Sequence, residues 1–78
     1  MPTSNDILKS IAEHLGLAPE DLDRHALIRE ELGLGPIELN DLLTTLSHKY
    51  SISFDSHEIG NLQKVEDLIV LVEDNLLD

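Results

Sequence analysis

The sequence predicts an all-α fold: a four-helix bundle with three main helices at about 4–15, 36–50 and 65–77, a short helix at about 56–61, and a long first loop. Three observations carry this. Apolar residues recur at three- and four-residue spacing in three separate windows, which is the signature of helices with one buried face. The first two windows open on residues suited to start a helix, Thr3 or Ser4 and then Gly35-Pro36. The only alternating stretch, Ser51-Ile52-Ser53-Phe54, is short and has no second strand to pair with, so it reads as an extended connector that plugs Ile52 and Phe54 into the core.

The first helix is capped by Thr3 or Ser4, with Asp6 at the capping-box offset from Thr3, and presents Ile7, Leu8, Ile11 and Leu15 on one face. Gly16 stops it. From Leu17 to Leu34 the pattern is that of a tethered loop, with a turn or single helical turn at Ala18-Pro19-Glu20-Asp21 and apolar anchors at Leu22, Leu27, Ile28 and Leu32. Structureless loops of this length are unusual in compact domains, so the anchors imply that it lies against the core.

The second helix begins at Pro36, after Gly35 as cap. Proline suits the first helical position because its ring presets φ and its missing N–H has no intrahelical partner anyway. Leu39, Leu42, Leu43, Leu46 and Tyr50 mark the buried face. At roughly 100° per residue, Ile37, Asp41, Thr44 and His48 fall opposite, so this outer face starts with an exposed aliphatic. Asp55 or Ser56 caps the short helix. The last helix buries Val65, Leu68, Ile69, Val72 and Leu76, while Val70 and Leu77 lie among Glu66, Asp67, Glu73 and Asp74 on the acidic side.

Composition bounds the function. The chain has 78 residues, 41% of them hydrophobic, and neither repeats nor a linker, which predicts a single domain over 1–78. Without cysteine it holds neither a disulfide nor a thiolate metal site. Sixteen acidic residues against five basic ones give a formal net charge of -11, which repels nucleic acid and anionic lipid heads and favours partner proteins with basic patches. With no signal-type apolar run, and with Leu68-Ile69-Val70-Leu71-Val72 too short to span a bilayer, the expectation is a soluble cytoplasmic protein without membrane insertion, monomeric or a weak homodimer.

Sites of reaction chemistry are not assembled by the pattern. His14, His25, His48 and His57 sit in four segments without metal-ligand spacing, so no metal site is expected and surface positions are the simpler reading. Asp21 and Asp23 begin like a calcium loop, but Arg24, His25 and Ala26 follow where oxygen ligands and a glycine belong. Glu30-Glu31 and Glu73-Asp74 are adjacent pairs that do not face each other. Ser56-His57 lacks the third group a nucleophile and base require. The chain is therefore expected to have no catalytic residue and to be no enzyme.

The order and spacing of several short segments carry a resemblance. Ile7, Ile11 and Leu15, then Leu17 to Asp23, then Ile28-Arg29-Glu30-Glu31-Leu32-Gly33, Leu39, Leu42 and Leu46, Ile52-Ser53-Phe54-Asp55 and Val65-Glu66-Asp67-Leu68 together look like an acyl carrier protein over nearly the whole chain. The resemblance implies an acyl-carrier-like bundle and an Asp-Ser-Leu motif whose serine takes a 4′-phosphopantetheine arm. Aligned through Glu31-Leu32-Gly33, those positions are Gly35, Pro36 and Ile37, so Pro36 occupies the serine position and 4′-phosphopantetheine is expected to be absent. Thr44, Thr45 and Ser47 lie in the middle or near the far end of the second helix, and Ser51, Ser53 and Ser56 belong to the next connector, where no helix start aims them at a transferase, so all six are poor substitutes.

The family's acidic second helix docks on basic enzyme patches. By that resemblance the partner-binding residues are Ile37, Glu38, Asp41, Thr44 and His48, although Ser47, His48 and Lys49 stand where the family has acids. The resulting expectation is a non-catalytic interaction or regulatory module in fatty-acid, lipid or polyketide-type biosynthesis, with acyl-chain-processing enzymes as partners. Two alternatives stay open: an active carrier with unconventional attachment, and a small acidic scaffold dimerising through Val70 and Leu77.

Overall fold

A computed structural model describes residues 2–77; Met1 and Asp78, the bounds of the predicted domain, lie outside the described residues. Four helices follow in order: α1 (Ser4–Leu15), α2 (Pro36–Tyr50), α3 (Ser56–Gly60) and α4 (Val65–Leu76), with one 3-10 turn at Pro19–Asp21. The predicted windows and the observed helices agree to within one residue. Asn61 and Leu77, expected inside the third and fourth helices, are their C-caps.

Thr3, rather than Ser4, starts α1. Its extended backbone lets Oγ1 accept from the Asp6 N–H at 3.2 Å while Asp6 Oδ2 accepts from the Thr3 N–H at 2.9 Å, a reciprocal capping box. Gly16 ends the helix at φ 74°, a left-handed turn that a side chain would strain. Asp55, not Ser56, caps α3, its Oδ1 accepting from the His57 N–H at 2.9 Å.

One apolar core joins α1, α2, α4 and the long loop, while α3 packs on its edge through Ile59. It is made by Ile7, Ile11 and Ala12 of α1, Leu42, Leu43 and Leu46 of α2, Val65, Leu68, Ile69 and Val72 of α4, and Leu22, Ala26 and Ile28 of the long loop. Ile52, Phe54 and Tyr50 pack around it as partly buried residues, as the spacing predicts. Tyr50 also has a polar role: its hydroxyl lies 2.7 Å from Ser10 Oγ, which donates in turn to the Asp6 carbonyl at 3.1 Å. A buried hydroxyl pair of this kind is satisfied across the α1–α2 contact and so does not weaken the core.

The long loop is more tightly held than a set of apolar anchors would make it. Leu27 forms an isolated antiparallel bridge with Lys64, and the N–H groups of Ile28, Val65 and Glu66 donate to Gln63, Ala26 and Arg24 carbonyls at 2.8, 3.0 and 2.8 Å. Arg24 also donates to Ser4 Oγ and Asn5 Oδ1 on α1. The loop is thus tied by its backbone to the start of α4 and by a guanidinium to the start of α1, which fixes the approach to α2. No helix among the described residues is long and apolar enough to cross a membrane.

Candidate functional site

The start of α2 is built from the loop upward. Gly33 takes φ 69°, turning the chain so that the Leu34 N–H reaches the Ile28 carbonyl at 3.1 Å and Gly35 can stand in extended backbone as N-cap. Gly35 has no side chain to close the box, so only half of it forms: Glu38 Oε1 accepts from the Gly35 N–H at 3.0 Å. A Cβ built on Gly35 would lie 2.8 Å from that same oxygen, so a larger residue there must displace the Glu38 side chain. Pro36 fills the first helical position and brings neither N–H nor hydroxyl.

The predicted outer face is exposed as the periodicity requires. Ile37 is 82% exposed, and Glu38, Asp41, Thr44 and His48 are exposed beside it. Their states differ, however. Glu38 is engaged in capping Gly35, Thr44 donates back to the Asn40 carbonyl at 2.9 Å, and Asp41 Oδ2 lies 3.3 Å from His14 Nε2 on α1. His14, expected as a plain surface residue, is half-buried and reaches across to α2 instead. A contact spanning two helices leaves no local sequence signal. The Gly35–Glu38 contact, by contrast, is local: an acid three residues after the cap supplies the half of a capping box that needs no cap side chain.

A cleft opens beside Pro36. About 250 Å³ lies among Leu39, Leu43, Ile59 and Leu62, with Arg29, Pro36 and Asn40 on its rim. It adjoins a second hollow of about 400 Å³ between α2 and the loop, with which it shares Arg29, Leu39, Gly60 and Leu62. Arg29 is a basic group in an otherwise acidic region, and sequence reasoning did not single it out. Among the described residues no group of His, Asp or Glu is arranged to hold a metal ion.

The family described as "Phosphopantetheine attachment site" matches residues 5–72, nearly the whole of this bundle. The chain belongs to that family. Similar proteins include the acyl carrier protein of Chlamydia muridarum (strain MoPn / Nigg), 26% identical over 74 residues and covering 95% of this chain and 96% of that one. The acyl carrier protein of Nitratidesulfovibrio vulgaris (strain DSM 19637 / Miyazaki F) is 26% identical over 73 residues, covering 94% and 96%. That of Wolinella succinogenes is 25% identical over 75 residues, covering 96% and 99%.

Family membership confirms the resemblance and the all-α bundle, and acyl carrier proteins are carriers, not catalysts. It also corrects one expectation. The expected absence of 4′-phosphopantetheine rests on Pro36 at the serine position and on the poor setting of the other hydroxyls, whereas a match to the attachment-site family along 5–72 and to acyl carrier proteins end to end points to a carrier that bears the group. The carrier scaffold is set by the apolar pattern of the whole bundle along 5–72, and the residue at one helix start does not alter that pattern. Pro36 itself does not fit attachment: it offers no oxygen to esterify, and the Gly35 N–H beside it already donates to Glu38 Oε1.

Proposed function

We propose that this chain is an acyl-carrier-type module of the cytoplasm that docks on acyl-chain-processing enzymes through the outer face of α2. The observation that carries the reading is Ile37, an aliphatic side chain 82% exposed at the head of a helix flanked by Glu38 and Asp41. An apolar knob ringed by acids suits a basic patch with an apolar centre. The formal charge of -11 steers such a partner in, while the knob supplies desolvated contact. Thr44 and His48 extend the same face toward the far end of the helix, where Lys49 moderates its acidity.

Titration against a phosphopantetheinyl transferase, an enzyme that must recognise a carrier, tests the surface. The double change Ile37→Ala with Asp41→Lys is expected to weaken binding at least about tenfold, the equivalent of about 1.4 kcal/mol. Because Asp41 also meets His14, circular dichroism must show the variant folded. Unchanged binding by a folded variant would mean that α2 is not the docking face.

The family match favours a second reading, that of a covalent carrier, and its arm would sit on an unconventional hydroxyl, since Pro36 has no oxygen to esterify. Intact-mass measurement after incubation with coenzyme A and the transferase, followed by peptide mapping, names the residue that takes the group.

A further inference from the structure

The acidic side of α4 leaves two aliphatic residues uncovered. Val70 is 46% exposed and Leu77 73% exposed; at seven positions apart they share one face, with Asp74 between them. Beside them a groove of about 310 Å³ runs between the end of α3 and α4, with Leu62, Val70 and Leu71 along it and Glu58, Asp67 and Asp74 on its rim.

The rim carboxylates are not equivalent. Glu58 Oε1 accepts from the Asp55 N–H at 3.0 Å, and Asp67 Oδ2 accepts from the N–H groups of Gln63 and Lys64 at 3.1 and 2.9 Å, so both are held in place by the backbone. Each keeps oxygen lone pairs free for another donor. The Asp74 carboxylate takes part in none of the side-chain hydrogen bonds or ion contacts among the described residues. Two oriented acids and one unengaged acid therefore surround an apolar strip.

We propose that this α3–α4 groove is a second docking surface, separate from the α2 face, and that its occupant is a basic amphipathic helix of a partner protein. Apolar side chains of that helix lie on Val70, Leu71 and Leu77, and its lysines or arginines meet Glu58, Asp67 and Asp74 in the helix-in-groove manner. Charge selects this occupant over the others. A second copy of the chain would bring acidic rim against acidic rim, and like charges brought together at an interface cost several kcal/mol. Nucleic acid and anionic lipid are repelled by the same carboxylates. The proposal does not depend on the reading of α2.

The test uses the full chain, isotopically labelled, and a synthetic Leu/Lys amphipathic helical peptide as probe, with a control peptide in which serine replaces each leucine at the same charge. The expected result is a set of amide shifts centred on Leu62, Asp67, Val70 and Asp74. Val70→Lys should weaken the peptide at least about tenfold, and Leu77→Lys, at an exposed cap residue, should weaken it in the same direction. Ile37→Ala should leave it unchanged. Shifts confined to α2, equal binding of the serine peptide, or full binding by folded Val70→Lys would each overturn the proposal. So would sedimentation showing a dimer that Val70→Lys dissociates, since the groove would then belong to a second copy.

Discussion

Ser51 closes α2 in the left-handed region, at φ 54° and ψ 47°, with its N–H donating to the Ser47 carbonyl. Gly16 and Gly33 are the other positive-φ residues among the described ones, and both lack the Cβ that makes this conformation costly. Ser51 is exposed, so a substitution there touches little else. Ser51→Gly is accordingly expected to stabilise the fold by about 0.5–1 kcal/mol, the relief of strain exceeding the entropy glycine adds to the unfolded chain. A rise of several degrees in the thermal midpoint checks it, and a fall would show that the serine contributes something its geometry does not reveal. Asp6 is the second informative residue. The hydrogen bond from the Thr3 N–H, and then the Thr3 hydroxyl, hold its carboxyl below the ordinary value near 3.9. A carboxyl depressed on folding stabilises the protein fully above its unfolded value and ceases to do so as pH falls through the folded one. The midpoint advantage of the parent over Asp6→Asn should therefore persist from neutral pH to about 5 and shrink below about 4. A difference that grows with acid would contradict the capping box as its source.

At the scale of elements, α1, α2 and α4 were legible because each buries a stripe, and a buried stripe forces a period of 3.6 residues on the sequence. Ile37 as outward residue was legible for the same reason, and Pro36 as first residue from its fixed φ and missing N–H. The loop was not. Its anchors Leu22 and Ile28 could be seen, but the Leu27–Lys64 bridge is made of backbone groups, which leave no mark on residue identity. Likewise the choice of Thr3 over Ser4 as cap depended on which hydroxyl stood three residues before a usable acid, and Asp6 settles it. The Arg24 clip to Ser4 and Asn5, the His14–Asp41 contact and the Arg29 rim join positions far apart in sequence, so only the folded chain brings them together. Removal of the clip tests its place in the fold. Arg24→Ala should lower stability by about 1 kcal/mol, the usual magnitude for hydrogen bonds from a charged donor at a partly exposed site. Faster hydrogen exchange in the first turn of α1 and at Glu66, with the α2 core protected as before, would locate the loss.

For the whole molecule, charge is the term that the packing does not balance. The chain carries sixteen acidic residues, all but Asp78 among the described ones, whose body measures 30 × 24 × 19 Å; among them the cross-element ion contacts are two histidine–carboxylate pairs, His14 with Asp41 and His25 with Glu66. Neither a lysine nor an arginine forms an ion pair with a carboxylate among those residues. At low ionic strength the screening length, about 30 Å at 0.01 M, matches the size of the protein, so most carboxylates repel one another across it; at about 0.15 M it falls to about 8 Å and only near neighbours remain coupled. Unfolding separates the charges in either case, which makes repulsion a destabilising contribution that salt removes. The thermal midpoint is therefore expected to rise by several degrees between about 0.01 and 0.5 M sodium chloride, a gain of about 1 kcal/mol in a domain of this size. Salt acts oppositely on association with basic partners, because the carboxylates that burden the free fold attract the partner. A partner's on-rate should fall over the same range in which the midpoint climbs. A midpoint that stays level while the on-rate falls would place the repulsion outside the folded state's balance and leave the acidic surface explained by partner attraction alone.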